Sequence, residues 1–204
     1  MDDIVAVALL RHGLTEKNSR RAYIGWTDDP LSEEGRKALS GIEHFSPELV
    51  ITSGMKRTDQ TADLLFPGAA RHSISSFKEI HFGEWEGRTF DELKAEPAYR
   101  EWVDNMDQHA PPGGESLSVF KERVMAGWAE ARKEIGARKT SAVIAHGGTI
   151  RHLMTQLTED RRGFWDWPCL PGEGYILYWT KEAFRRGERC ISYQAEPAME
   201  NRRG

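Results

Sequence analysis

The sequence predicts an α/β domain, a three-layer α/β/α sandwich around a mostly parallel central sheet. Three observations carry this. The run Ile4-Val5-Ala6-Val7-Ala8-Leu9-Leu10 is continuously apolar with β-branched members, as in strands buried on both faces of a parallel sheet. Leu49-Val50-Ile51 and Ser141-Ala142-Val143-Ile144-Ala145 are further strand-like runs. Stretches with helical spacing lie between them, and strands alternating with helices give a sheet covered on both faces.

In chain order, residues 13–30 read as a polar loop. Ser32 is a helix cap, and Glu33 and Glu34 suit the positive end of the helix dipole. Ala38, Leu39, Ile42 and Phe45 fall at helical spacing, with Pro47 as the stop. A helix from about Thr58 to Leu65 is expected to end at Pro67-Gly68, and Ala70 to Ile74 to form a short strand. Thr89-Phe90-Asp91-Glu92 is a capping-box pattern opening a short helix. Pro97 begins a longer, less regular segment reaching Pro111-Pro112-Gly113-Gly114; its Tyr99, Trp102 and Met106 suggest a packed partial cover over the strand tips.

Ser116 caps the clearest helix, with Leu117, Phe120, Val124, Trp128, Ala131 and Ile135 as its apolar stripe and Gly136 as its stop. Another helix is expected near Thr149–Leu157. Tyr175-Ile176-Leu177-Tyr178-Trp179 reads as a strand, with Ile191-Ser192-Tyr193 as its hairpin partner at the sheet edge. The reading is one domain over residues 1–195 and a disordered tail over 196–204, with no repeat or dividing linker.

The 204 residues suit one sizeable core. A net charge of −4 argues against a general nucleic-acid binder. No apolar run approaches a membrane span, and the acidic Met1-Asp2-Asp3 start lacks the basic region of a signal peptide. Cys169 and Cys190 show neither metal spacing nor a disulfide framework. The expected setting is cytoplasmic, and no pattern points to an oligomeric state.

Polar residues appear abruptly where the first run ends, in Leu9-Leu10-Arg11-His12-Gly13. Ligands of open α/β sheets bind outside the carboxyl ends of the strands. Thr15 and Asn18 extend the motif to Arg-His-Gly-x-Thr-x-x-Asn. The later run ends in His146-Gly147-Gly148, and Leu49-Val50-Ile51 leads into Thr52-Ser53-Gly54-Met55-Lys56-Arg57-Thr58. His12 fits a nucleophile: a neutral imidazole can attack phosphorus while its other nitrogen donates to a backbone carbonyl. Arg11 and Arg57 fit a phosphate clamp, since guanidinium forks match phosphate oxygens. Arg57 also sits near a helix start, which favours anions. Gly147 would let its backbone N–H approach the anion closely. Arg151 can add to a positive pocket.

This constellation resembles the histidine phosphatase superfamily, the phosphoglycerate mutase-like enzymes, from the first strand to His146 and the helix after it. The match beyond about Leu157 is weak. The resemblance implies a phosphoglycerate mutase-like fold and phosphorylation of His12. It also implies that His146 contacts the phosphoryl oxygens and that Asn18 donates to the phosphate. Thr15, Ile24, Gly25 and Gly147 are carried as further substrate-binding candidates. The family's acid lies in a Glu-x-x-aromatic-Gly pattern, which Glu79 fits through Phe82 and Gly83. Glu84 is the competing candidate, and Glu86 reads as a loop residue. Gly54 stands where the branch often has proline.

Trp102 and Pro111-Pro112-Gly113-Gly114-Glu115-Ser116 look like the α-ribazole phosphatase and broad-specificity phosphatase branch. Only 35 residues separate Glu79 from Glu115. A cover that compact would let water reach a phosphohistidine. The expected activity is therefore hydrolysis of small phosphorylated metabolites through a phosphohistidine on His12, with no cofactor and no metal. The expected partner is a small-molecule phosphomonoester, with no nucleic acid and no membrane.

The alternatives are a cofactor-dependent phosphoglycerate mutase, a sugar-bisphosphatase, or an inactive phospholigand binder. A zinc site is disfavoured by the absence of a His-x-His or His-Glu-x-x-His pattern. His44, His72, His109 and His152 read as surface or packing residues, and His81 carries no independent signal. Trp128 reads as core. Tyr23, Trp26, Trp85 and Trp102 are candidates to line the pocket.

Overall fold

The computed structural model describes residues 4–42 and 45–197. The expectation for His44 and nearly all of that for the 196–204 tail lie outside these. The strands are β1 (Ile4–Arg11), β2 (Leu49–Thr52), β3 (Ala70–Ser73), β4 (Thr140–Ala145), β5 (Gly174–Thr180) and β6 (Ser192–Glu196). Strand β6 thus reaches one residue into the stretch expected to be disordered, because Glu196 is a buried strand residue.

The six strands form one sheet in the order β3-β2-β4-β1-β5-β6. The pairs β2–β3, β2–β4 and β1–β4 are parallel, while β5 runs antiparallel to β1 and β6. Register places Arg11 opposite Ala145, so the two strands next deliver His12 and His146 side by side.

The helices are α1 (Glu16–Ser19), α2 (Glu33–Leu39), α3 (Lys56–Leu65), α4 (Phe90–Leu93), α5 (Pro97–Asp104), α6 (Leu117–Ile135), α7 (Gly147–Leu157) and α8 (Lys181–Arg186). Successive strand side chains point to opposite faces, and β1 shows what this does. Val5, Val7 and Leu9 join a core with Phe120 and Val124 of α6 and Ile150 and Leu153 of α7. Ala6, Ala8 and Leu10 join Ala62 of α3 and Phe66 on the other face. Helices on both faces make the three layers.

Ser116 caps α6 by accepting the Val119 N–H at 3.3 Å, and Gly136 ends that helix at φ 56°. The expected stripe on α6 is buried throughout. Trp128 stacks on Trp179 at 5.9 Å. Thr89 and Glu92 form the expected capping box.

Helix α1 falls within the stretch read as a polar loop, α8 is an additional helix, α3 and α7 each begin two residues early, and α2 and α5 depart further. Helix α2 stops at Leu39, because Ser40 is extended and Gly41 takes φ 82°. Ile42 and Phe45 thus lie beyond it despite their spacing. Pro97 opens the regular helix α5 at its first turn, where its missing N–H costs nothing. Tyr99 and Trp102 on α5 pack with Trp85 and Leu93 into a separate aromatic cluster.

Candidate active site

Three strand ends and two loops build the site. His12 follows β1 and is buried. Its backbone N–H donates to Ala145 O at 3.0 Å, tying the two strand tips together. Its ring Nδ1 lies 2.6 Å from Gly13 O. A carbonyl only accepts, so Nδ1 carries the proton and Nε2 keeps its lone pair. Burial first, then the Arg57 and Arg11 charges, hold its pKa well below the ordinary histidine value, against the opposing Gly13 bond.

Arg57 lies on the first turn of α3 and is fully buried. Its Nη1 donates to Thr27 O at 2.7 Å and its Nη2 to Gly25 O at 2.6 Å. Its Nε donates to His146 Nδ1 at 3.3 Å. Guanidinium has five N–H groups, so one remains on each terminal nitrogen for an anion. Arg11 is anchored by one bond, Nη1 to Cys169 O at 2.7 Å, and its buried Nε has no partner.

His146 is the N-cap of α7. Its ring is 5.1 Å from that of His12, centroid to centroid. Its Nε2 is 2.9 Å from Ser53 Oγ, Ser53 Oγ is 3.1 Å from Thr58 Oγ1, and Thr58 Oγ1 donates to Met55 O at 2.8 Å. Each hydroxyl has one proton, so this chain runs one way, from His146 Nε2–H through Ser53 and Thr58 to Met55 O. Burial, Arg57, His12 and Arg11 keep the imidazole neutral by lowering its pKa well below normal. Both its ring nitrogens are therefore engaged by the protein, which the motif alone does not reveal.

Glu79 lies in the loop after β3. Its Oε2 accepts the Gly148 N–H at 2.8 Å and its Oε1 accepts the Ile80 N–H at 3.0 Å. A side-chain carbon built on Gly148 would come within 2.4 Å of Glu79 Oε1. Glycine there makes room for the acid. Glu84 is exposed and outside the cavity beside Glu79, so position favours Glu79.

That cavity has a volume of about 460 Å³. Glu79, Gly148 and Arg151 line it, and the rest of its lining is aromatic or apolar, with Tyr23, Phe82, Trp102, Met106, Phe164 and Trp165 among it. Of the four aromatic candidates, Tyr23 and Trp102 line it. Trp85 is instead buried in the aromatic cluster. Trp26 is 42% exposed, with His81 at 4.6 Å.

The substrate-binding candidates separate in the structure. Thr15 is the N-cap of α1, its Oγ1 accepting the Asn18 N–H at 3.3 Å, so its hydroxyl holds the loop. The buried Oδ1 of Asn18 has no partner. Ile24 is a buried apolar residue. Gly25 gives its N–H to Glu86 and its carbonyl to Arg57, and a side-chain carbon there would lie 1.8 Å from Ile80 O. Gly25 is thus scaffold. Gly147 lies between two arginines: a side-chain carbon there would lie 3.2 Å from Arg151 Nη1 and 3.7 Å from Arg11 Cζ.

Two residues missed by sequence reading hold the machinery. The Glu86 carboxylate accepts the N–H groups of Gly25, Trp26, Thr27 and Phe82 and the Thr27 hydroxyl. Burial pushes its pKa up, but bonds from Trp26, Thr27 and Gly25 outweigh this and hold it below normal. It thereby fixes the two carbonyls that orient Arg57. Arg123 of α6 donates to the carbonyls of Ser76, Lys78 and Glu79 and pairs with Glu115. It fixes the loop carrying Glu79.

His72 lies 3.9 Å from both Glu130 and Glu134, His109 is exposed, and His152 is buried with its pKa lowered to about 4, chiefly by burial. Both thiols are free and buried. Among the described residues no helix is long and apolar enough to cross a membrane.

A family model described as the histidine phosphatase superfamily (branch 1) matches residues 7–188. The chain is 33% identical over 157 residues to the adenosylcobalamin/alpha-ribazole phosphatase of Salmonella typhimurium, covering 73% of this chain and 77% of the relative. It is 32% identical over 164 residues to the 2,3-bisphosphoglycerate-dependent phosphoglycerate mutase 2 of Gloeobacter violaceus, covering 74% of each. The alpha-ribazole phosphatase of Shigella flexneri superposes with a TM-score of 0.75 at 25% identity, over 85% of this chain and 89% of that one.

Proposed function

The chain belongs to the histidine phosphatase superfamily, and from this we propose that it is a phosphomonoester hydrolase working through a phosphohistidine on His12. The observation that carries this is the His12–Gly13 bond. It holds a neutral imidazole with its Nε2 lone pair free.

His12 Nε2 attacks phosphorus, and the bond from phosphorus to the ester oxygen breaks. The free N–H groups of Arg57 and Arg11 and the N-terminus of α7 stabilise the equatorial oxygens, a role for preset dipoles and charges. Glu79 in its protonated form gives its proton to the leaving oxygen. A water then attacks the phosphohistidine while the Glu79 carboxylate takes its proton, releasing phosphate and restoring His12. Arginines and backbone amides supply the positive charge, so no metal enters a step.

The leaving group lies in the cavity beside Glu79. Its aromatic and apolar lining suits a bulky, flat, apolar alcohol. This supports hydrolysis of such esters over transfer on a small, fully polar glycerate. Two free, buried thiols fit a reducing, cytoplasmic setting.

The test is a panel of phosphomonoesters with EDTA present. Phosphate release from bulky aryl or nucleoside-like esters, inhibited by vanadate, is expected. Isomerisation of 3-phosphoglycerate, primed by a bisphosphoglycerate, that outruns phosphate release would instead establish the mutase reading. Loss of turnover in EDTA that a divalent metal restores would overturn the mechanism.

A further inference from the structure

We propose that Arg151 is a specificity-determining residue that binds a second anionic group, carried on the leaving group of the substrate; this rests on the phosphatase reading. Arg151 lies on α7 and lines the leaving-group cavity. Its Nε donates to Trp167 O at 3.2 Å, and its Cζ lies 6.0 Å from the Trp165 ring. No carboxylate among the described residues pairs with it.

Three successive carbonyls set this geometry. Trp167 O accepts from Arg151, Pro168 O accepts the Tyr175 hydroxyl at 2.6 Å, and Cys169 O accepts from Arg11. Trp167 and Cys169 are buried, so one fixed segment holds both arginines. Their guanidinium groups flank the small gap left by Gly147. Two cations held together in a partly buried site favour anions, and Glu79, the carboxylate that lines the same cavity, already accepts the N–H groups of Gly148 and Ile80.

The clamp of Arg11 and Arg57 accounts for one anion, the scissile phosphoryl group. Arg151 lines the leaving-group cavity with Glu79 and Gly148, whereas Arg11 and Arg57 do not. An anion there belongs to the alcohol being released. The substrate class is a phosphomonoester with a flat apolar body and an acidic substituent close to the ester.

The experiment compares kcat/KM for 3- and 4-carboxyphenyl phosphate with the matching neutral carbamoylphenyl phosphates, in wild type and Arg151→Gln. Comparing the carboxylate-to-carboxamide ratio between enzymes cancels leaving-group chemistry. A charge-assisted bond lost to the variant should lower that ratio about tenfold or more at one ring position, mainly through KM. Arg151→Lys should retain part of the preference. A ratio unchanged in Arg151→Gln, including an equal loss on both esters, would overturn the proposal. No phosphate release by wild type from any of the four esters would overturn the phosphatase reading, and this inference with it.

Discussion

Arg57 Nε donates to His146 Nδ1 at 3.3 Å, and this bond decides which nitrogen of His146 carries the proton. With Nδ1 accepting, Nε2 must donate, and it does so to Ser53. For His146 to donate to a phosphoryl oxygen, it must gain a proton as the anion arrives. Ser53→Ala removes the acceptor of the Nε2 proton and leaves that N–H buried without a partner. Net hydrogen-bond contributions near 1 kcal/mol imply a loss of about five- to tenfold in kcat/KM. An unchanged kcat/KM in Ser53→Ala would show that the relay is idle.

The buried histidines also set a pH dependence of stability. His12, His146 and His152 all have folded pKa values below the ordinary 6.5. The unfolded chain then binds more protons, so stability rises with pH in this range. It is fully present above pH 6.5 and declines as pH falls below that value. Melting curves from pH 8 to pH 5 should show Tm falling below about 6.5. A flat Tm across that range would contradict the burial of three neutral imidazoles.

Glu79 as the acid gives a kinetic signature. General acid catalysis contributes ~10²–10⁴-fold, so Glu79→Gln should slow alkyl esters by about that factor and p-nitrophenyl phosphate far less. Gly148→Ala should reproduce the pattern, because its added carbon meets Glu79 Oε1. If Glu84→Gln shows the dependence instead, the acid is Glu84.

Glu86 should matter for fold and turnover together. Glu86→Gln keeps its shape but loses the charge that five donors share. With charge-assisted bonds worth ~1.5–3 kcal/mol each, at least one such loss in unfolding free energy is expected. Phosphate affinity should fall with it, because the carbonyls of Gly25 and Thr27 no longer aim Arg57. Wild-type denaturation and phosphate binding in Glu86→Gln would refute this role.

Much of this was legible in the sequence, where local chemistry decides. The apolar runs ending in Arg11-His12 and in His146 marked the strand tips, and the strand register brought them together. Capping at Ser116 and Thr89 fixed two helix starts.

What was not legible depends on distant partners. Glu86 meets donors about sixty residues earlier in the chain, so nothing beside it marks its role. Arg123 falls among the polar positions of an amphipathic helix, yet three loop carbonyls claim it. The segment from Pro97 reads as irregular because spacing alone does not show that Pro97 occupies the first turn of a helix. Trp85 and Trp102 looked alike in the sequence, and only the packing of α5 put one in the cluster's interior and the other on the cavity wall as well.

The most direct measurement is rapid acid-free quench of wild-type enzyme with a ³²P-labelled phosphomonoester, followed by peptide mapping. The expected result is an acid-labile, base-stable phosphoenzyme with its label on His12, absent in His12→Ala, which also loses nearly all turnover while still folding. Label on another residue, or full turnover by His12→Ala, would contradict a phosphohistidine mechanism at His12.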